Sequence, residues 1–232
     1  SCKLQIVHAI FLIILIAQMA EADNICAYLD MPVQHANSRL LKHMRRGLGR
    51  EGILRRIREI REAIPNIALR TSLIVGYPTE TEEEFRELYD FVDEVEFDRL
   101  GVFTYSHEPG TIAADFTNDI PEQVKYDRRD EIMLLQQDIM LMKNRQQMGN
   151  DMKVILDKYD KSAGEFIGRT EFDSPDVDGI VRIPAEESEA TVGEFYTVSI
   201  NDCNEYELFG EIREPNFAFG ATEKQKARSL MV

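Results

Sequence analysis

Three short runs hold most of the groups able to do chemistry: Leu29–Ser38, Arg70–Thr81 and Phe103–Thr111. Each joins an apolar stretch to amide, hydroxyl, guanidinium or glycine groups. Gln34, His35, Asn37 and Ser38 follow the first apolar stretch directly, donors and acceptors placed where they would face a barrel mouth, and His35 there invites a metal or acid–base reading. His35 beside an amide also fits a hydrogen-bonded structural residue. Arg45 and Arg46 come next, and a guanidinium fork matches a carboxylate in two bonds. Arg70 stands mid-strand, where a cation is costly unless it meets an anion or a buried acid. Leu73–Gly76 supplies apolar backbone and then a glycine, where a ligand can come close. Tyr105, Ser106, Glu108, Gly110 and Thr111 complete the third run. The sequence has no phosphate loop, no His-Glu-x-x-His, no Gly-x-Gly-x-x-Gly and no convincing Ser-His-Asp set. Its histidines, His8, His35, His43 and His107, lack metal-ligand spacing.

The elements that must position these runs are legible from periodicity. Ile25–Val33, Ile67–Val75 and Arg99–Tyr105 read as buried strands, each ending at a polar or Gly/Pro exit. Ser38 is the expected N-cap of a short helix. Ile53, Leu54, Ile57, Ile60 and Ile64 recur at helical spacing up to Pro65. Thr81 and Glu84 fit a capping box ahead of the face Phe85, Leu88, Tyr89, Val92 and Val95. Strand and helix alternating at this spacing predict parallel βαβ units with ligand groups at the strands' carboxyl ends. A long helix runs from Pro121 to about Met148, with Val124, Ile132, Leu135, Ile139 and Met142 near one face. Its methionines read as core filler rather than a docking groove. From Met152 the period falls to two. Five short strands (152–159, 165–170, 179–183, 195–200 and 208–213) predict a small antiparallel barrel with OB-like architecture. Beyond Glu214 the pattern is lost, and a frayed tail is expected.

Charge is uneven. The chain carries a net −15, yet residues 39–70 hold ten Arg or Lys against three acids. Residues 151–214 hold seventeen acids against six bases, a poor composition for phosphate binding, which comes largely from cations displacing counterions. Cys2, Cys26 and Cys203 are odd in number and far apart, so neither a disulfide framework nor a zinc knuckle is encoded. Reduced thiols in a cytoplasmic protein are the expectation. Residues 9–17 form an apolar run after Lys3, with Ala20 and Ala22 beyond, as in a signal peptide. The run is shorter than the ~20 residues a bilayer span needs. Ser1 in place of an initiating Met counts against export and suggests that the native N-terminus lies upstream. So does the helical reading from Ile14 onward.

Gln34–Ser38, Arg70–Thr81 and Phe97–Thr111 together resemble the later half of the radical S-adenosylmethionine (SAM) core of the methylthiotransferases. Residues 152–213 resemble the TRAM domain that follows that core. The resemblance covers residues 14–213 and implies a partial (β/α) barrel followed by a small five-stranded barrel. Three parts are expected: residues 1–149, of which 1–13 are atypical, then 150–214, then a tail at 215–232. SAM is the implied cofactor. Gln34 or Ser38 would meet its ribose, Arg45 or Arg46 its carboxylate, and Val75 and Gly76 its adenine. Arg70 and Tyr105 complete the expected cofactor-binding set.

The family holds one [4Fe–4S] cluster on Cys-x-x-x-Cys-x-x-Cys and a second on three further cysteines. This sequence has neither set, so the chain by itself is expected to assemble no cluster and to be inactive. The block Phe97–Phe103 and the acidic β-module favour the branch that methylthiolates an aspartate β-carbon in protein twelve of the small ribosomal subunit. In that reaction one SAM yields a radical, a second gives the methyl group, and the auxiliary cluster delivers sulfur. The implied partner is the basic ribosomal protein. A tRNA-modifying relative is the alternative, and a non-catalytic, partner-binding fragment is another. No membrane partner is expected.

Overall fold

Strand β2 (Ala68–Val75) shows how the first unit is organised, because its burial alternates residue by residue. Leu69, Leu73 and Val75 are fully buried on one face, and Thr71 lies among them. Arg70, Ser72 and Ile74 point the other way and stay partly open. The protein was studied as a computed structural model, which describes residues 14–22, 24–117, 120–185 and 190–215. Expectations for residues 1–13 and for the tail beyond 215 lie outside the described residues.

In the first unit, which runs to Met140, β1 (Tyr28–Asp30), β2 and β3 (Arg99–Thr104) form a parallel sheet in the order β1-β2-β3. Residues 14–21 form helix α1. Helices α2 (Ser38–His43) and α3 (Arg50–Ala63) follow β1, and α4 (Glu82–Val95) follows β2. Ile53, Ile57 and Ile60 of α3 join Phe85, Leu88, Phe91 and Val95 of α4 in one core with Leu69, Leu73 and Val75. Parallel sheets normally bury both faces. Here the face carrying Arg70, Ser72 and Phe103 remains largely open, with Phe103 58% exposed.

The first strand is shorter than its apolar run. Pro32 has no N–H to give the ladder, and the Thr71 side chain spans the gap. Its hydroxyl donates to the Met31 carbonyl (2.9 Å) and accepts from Val33 N–H (3.2 Å). Pairing resumes at an isolated parallel bridge between Gln34 and Leu73. The expected capping box of α4 is present: Thr81 Oγ1 accepts from Glu84 N–H, and the Glu84 carboxylate accepts from Thr81 N–H. The N-cap of α2 is Asn37 rather than Ser38. The Asn37 carboxamide oxygen accepts from Arg39 and Leu40 N–H, and asparagine caps as well as serine.

Helix α5 (Glu122–Arg145) is 24 residues long, and its buried face mixes Ile132 and Ile139 with Lys125, Arg128, Gln136 and Asn144. Gln136 donates to the Phe97 carbonyl (2.8 Å). Met140 is buried, whereas Met142 and Met148 are exposed, so the methionines fill the core only in part.

The second unit, from Leu141, is a closed barrel of β4 (Asp151–Asp160), β5 (Glu165–Thr170), β6 (Ile180–Pro184), β7 (Phe195–Cys203) and β8 (Glu207–Pro215) in the order β4-β5-β6-β8-β7. Val154, Leu156, Val181, Ile183, Val198 and Ile200 fill its interior. The barrel is not wholly antiparallel as expected: β6 and β8 run parallel. Five strands around a closed ring cannot all alternate in direction, so at least one pair must be parallel. Closure removes the exposed edges that a small sheet would otherwise present.

Candidate functional site

The carboxyl ends of β1, β2 and β3 meet at one edge of the sheet. Gln34 N–H donates to Ser72 O (2.9 Å) and Ile74 N–H to Gln34 O (2.8 Å). Tyr105 N–H donates to Val75 O (2.9 Å), which holds the third strand end against the second. Gln34 has φ 74°, an unusual backbone for a residue with a side chain. Its backbone is fully engaged, and its half-buried carboxamide makes no hydrogen bond among the described residues.

A buried carboxylate ties the first two of these ends together. Glu80, 4% exposed, accepts from His35 Nε2 (2.9 Å), from Gly76 N–H (2.5 Å) and from Arg128 Nη1 (2.8 Å). His35 is fully buried, and its Nδ1 accepts from Asn37 N–H (2.9 Å). Nδ1 therefore offers its lone pair, and the ring proton lies on Nε2, facing Glu80. So His35 is the structural residue of the two alternatives. One carboxylate thus links the β1 exit, the β2 exit and α5. Arg128 also reaches Glu82 (3.1 Å) and lies over the Phe85 ring (5.2 Å).

A second buttress stands beside it. Arg39 makes two bonds to Glu84, both 2.6 Å, and donates to the Thr79 carbonyl (2.8 Å). Burial pushes the Glu84 carboxyl upward, but the Arg39 guanidinium and Thr81 N–H outweigh it and hold the group below the ordinary carboxylate range.

Behind the β2 exit, Leu40, Tyr77 and Tyr105 form a small buried cluster with Ile74 at its margin. Tyr77 and Tyr105 meet edge to face at 5.4 Å. Burial raises the Tyr105 phenol above its usual value, with Glu108 adding to the effect. The Tyr105 hydroxyl is buried and finds no partner among the described residues.

Gln34, Val75, Gly76 and Tyr105 of the expected set therefore lie at this mouth; the other three stand apart. Val75 presents only backbone there, since its side chain is in the core. Gly76, at φ 71°, is required for a second reason: a β-carbon would overlap Lys125 Cγ. Arg70 lies on the open face near the start of β2, five residues or ~16 Å below Val75, and pairs with Asp30 at 2.8 Å. Ser38 is exposed and accepts from Arg50 N–H (3.2 Å), which directs it towards α3. Arg45 sits exposed in the turn after α2 at φ 57°. Glu80, Arg128 and Lys125 were not singled out by sequence. Their signal is weak: two cations in phase with the apolar stripe of α5, and one acid directly after a Gly-Tyr-Pro-Thr turn.

Among the described residues no three His, Cys, Asp or Glu side chains gather as a metal site would require, and Cys26 and Cys203 belong to different units. No described helix is long and apolar enough to cross a membrane. In the barrel, Arg182 pairs with Glu207 (2.8 Å) and Glu165 (3.3 Å), and Arg169 pairs with Asp157. Lys153 lies 4.5 Å over the Phe195 ring.

Residues 9–92 match the radical SAM superfamily and residues 148–212 the TRAM domain. The chain is 48% identical over 194 residues to the ribosomal protein uS12 methylthiotransferase RimO of Cytophaga hutchinsonii, covering 84% of this chain and 44% of that protein. It is 45% identical over 193 residues to the RimO of Flavobacterium psychrophilum, covering 83% and 44%. For the RimO of Christiangramia forsetii the figures are 42% over 214 residues, covering 92% and 46%. The chain thus spans about half the length of the curated relatives it matches. It carries radical SAM and TRAM sequence and is homologous, over most of its own length, to the RimO methylthiotransferases.

Proposed function

We propose that this chain is part of a radical SAM methylthiotransferase acting on an aspartate β-carbon of ribosomal protein uS12. It would hold the cofactor at the strand-end mouth and engage the basic protein through its acidic barrel. The observation that carries this reading is identity of 42–48% to RimO proteins over 193–214 residues, a length that includes both units. When bound, SAM supplies the radical-forming and methyl-donating chemistry. The residues present suit that cofactor: the Gln34 carboxamide is unengaged and the buried Tyr105 hydroxyl is orphaned. Glu80 fixes the β1 exit that carries Gln34 and the β2 exit beside it, and the Tyr105 N–H bond to Val75 O holds the third strand end to the second, so the mouth is preorganised. Arg45 in its exposed turn is the candidate for the SAM carboxylate, with Ser38 and Arg70 as outlying members of the set. An iron–sulfur cluster does not fit the described side chains, so this chain's part is orientation and enclosure.

A basic groove from Lys153, Lys158, Lys161 and Arg169 would favour a tRNA-modifying relative. Asp157 neutralises Arg169, which weakens that groove, while the Lys153–Phe195 pair is a basic–aromatic contact of the kind single-stranded RNA uses. Titration of the whole chain against uS12 and against tRNA separates the two readings. We expect uS12 binding that weakens as salt rises, because the seventeen acids of residues 151–214 act at long range. Tight, salt-sensitive tRNA binding with no response to uS12 would overturn the assignment. In a protein completed to the relatives' full length, Arg45→Ala should weaken SAM by about 1.5–3 kcal/mol; an unchanged dissociation constant removes Arg45. The chain alone, after anaerobic reconstitution, should hold no stoichiometric iron and form no 5′-deoxyadenosine.

A further inference from the structure

Lys125, in the first turn of α5, is a cation that the reading above leaves unused. Its side chain is 1% exposed, as deeply buried as the apolar residues around it. The aliphatic stem lies against Gly76 at the β2 exit. Its Nζ donates to Glu122 Oε1 at 2.5 Å and stands 5.7 Å from the centre of the Tyr105 ring. An ammonium has three donors, and burying one with donors unmet is costly. Glu122 is itself 64% exposed, so the acid that answers Lys125 is one that solutes can reach and replace.

Three features lie near one another here, within reach of the Tyr105 ring. The ammonium is one. The second is the Tyr105 hydroxyl, buried within a residue only 9% exposed and orphaned among the described residues. The third is the N-terminus of a 24-residue helix, whose peptide dipoles favour negative charge. The chemistry favours a carboxylate over a phosphate. A carboxylate already occupies the Lys125 ammonium, and one ammonium with one phenol matches two oxygens. The β2 exit offers no spare N–H cradle either, since Gly76 N–H is committed to Glu80.

We infer that Lys125 and Tyr105 form a carboxylate-binding subsite at the mouth, with Glu122 as a resident competitor that a ligand carboxylate displaces. The source of that carboxylate rests on the function proposed above: it is either the amino-acid end of SAM, with Lys125 then taking the place of Arg45, or the side chain of the target aspartate.

The test uses the whole chain with 13C-labelled tyrosine rings, the Tyr105 signal being assigned through Tyr105→Phe. The probes are N-acetylaspartate methylamide, SAM, decarboxylated SAM and inorganic phosphate. A carboxylate probe should move the Tyr105 signal. Glu122→Gln should tighten that probe about threefold, the size of an exposed ion pair. Lys125→Met should weaken it about tenfold. If Lys125→Met does not fold, Glu122→Gln, an exposed change that leaves the Tyr105 probe in place, carries the test. A shift with SAM that vanishes with its decarboxylated form assigns the subsite to the cofactor; a shift with the aspartate probe alone assigns it to the target. No Tyr105 response to either carboxylate, an unaltered affinity in Glu122→Gln, or an equal response to phosphate overturns the inference. If SAM moves other mouth signals but not Tyr105, the subsite fails while the cofactor-binding mouth stands. If the aspartate probe binds and SAM moves nothing, the subsite stands and that mouth falls.

Discussion

The two units use charge in opposite ways. In the first, a set of ionic groups is buried around a shared acceptor: Glu80, 4% exposed, receives His35, Gly76 N–H and Arg128 at one point. In the second, the ion pairs lie at or near the barrel surface, as with Arg182–Glu207 and Arg169–Asp157, and an excess of acids is left over. A buried pair repays its desolvation only when geometry and further hydrogen bonds are good, so its use is to fix a shape. A solvated pair contributes little to stability, but the surplus charge around it acts at a distance. The first unit therefore uses its charges to set the shape of a site, and the second uses them to set a field.

The largest expected effect follows from removing the shared carboxylate. Glu80→Ala strands Arg128, His35 and Gly76 N–H without a common acceptor, and should cost about 3–5 kcal/mol. Urea unfolding measures this, and a loss under ~1 kcal/mol would mean that the network does not hold the mouth. Next comes Gly76→Ala, which places a β-carbon at φ 71° and against the Lys125 stem. We expect a loss of about 1–3 kcal/mol together with a displaced Lys125; wild-type stability would show that the backbone there relaxes freely.

A pH titration sharpens the comparison further. The Glu84 carboxyl is held below its unfolded value of about 4.3. Its contribution is therefore complete above that value and is lost as pH falls through the lower folded value. Arg39→Met should remove the main cause and flatten the acid limb of the stability curve; an unchanged limb would assign acid sensitivity elsewhere. The smallest effect belongs to the barrel. Breaking Arg169–Asp157 with Asp157→Asn should change stability by less than ~1 kcal/mol. A loss comparable to that of Glu80→Ala would erase the distinction between the units.

Particular residues show where the sequence was sufficient. The strand at Ala68–Val75 follows from an apolar run bounded by Pro65 and Gly76, and α4 from the Thr81/Glu84 box with an apolar residue at each turn. The five barrel strands follow from a two-residue period punctuated by Gly and Asp. These are local signals, read within a few neighbours. Sequence misplaced what depended on a distant partner. Ser38 looked like a cap, but the neighbouring Asn37 makes the capping bonds while Ser38 Oγ turns to Arg50. Gly76 looked like space left for a ligand, whereas Lys125 of a later helix fills it.

The sequence by itself determined the alternation of strands and helices, the change to a β-rich second part, and the separation of basic from acidic segments. Each is a property of composition or periodicity along the chain. Tertiary structure alone decided that His35, Gly76, Glu80 and Arg128 share one site, although His35 and Glu80 are 45 residues apart and Glu80 and Arg128 are 48. It also decided that Arg70 lies well below the mouth and that the barrel closes through a parallel β6–β8 pair. The physical reason is common to all three. A charged or hydrogen-bonding side chain carries no local mark of its partner, and only the packing of distant elements determines which donor meets which acceptor.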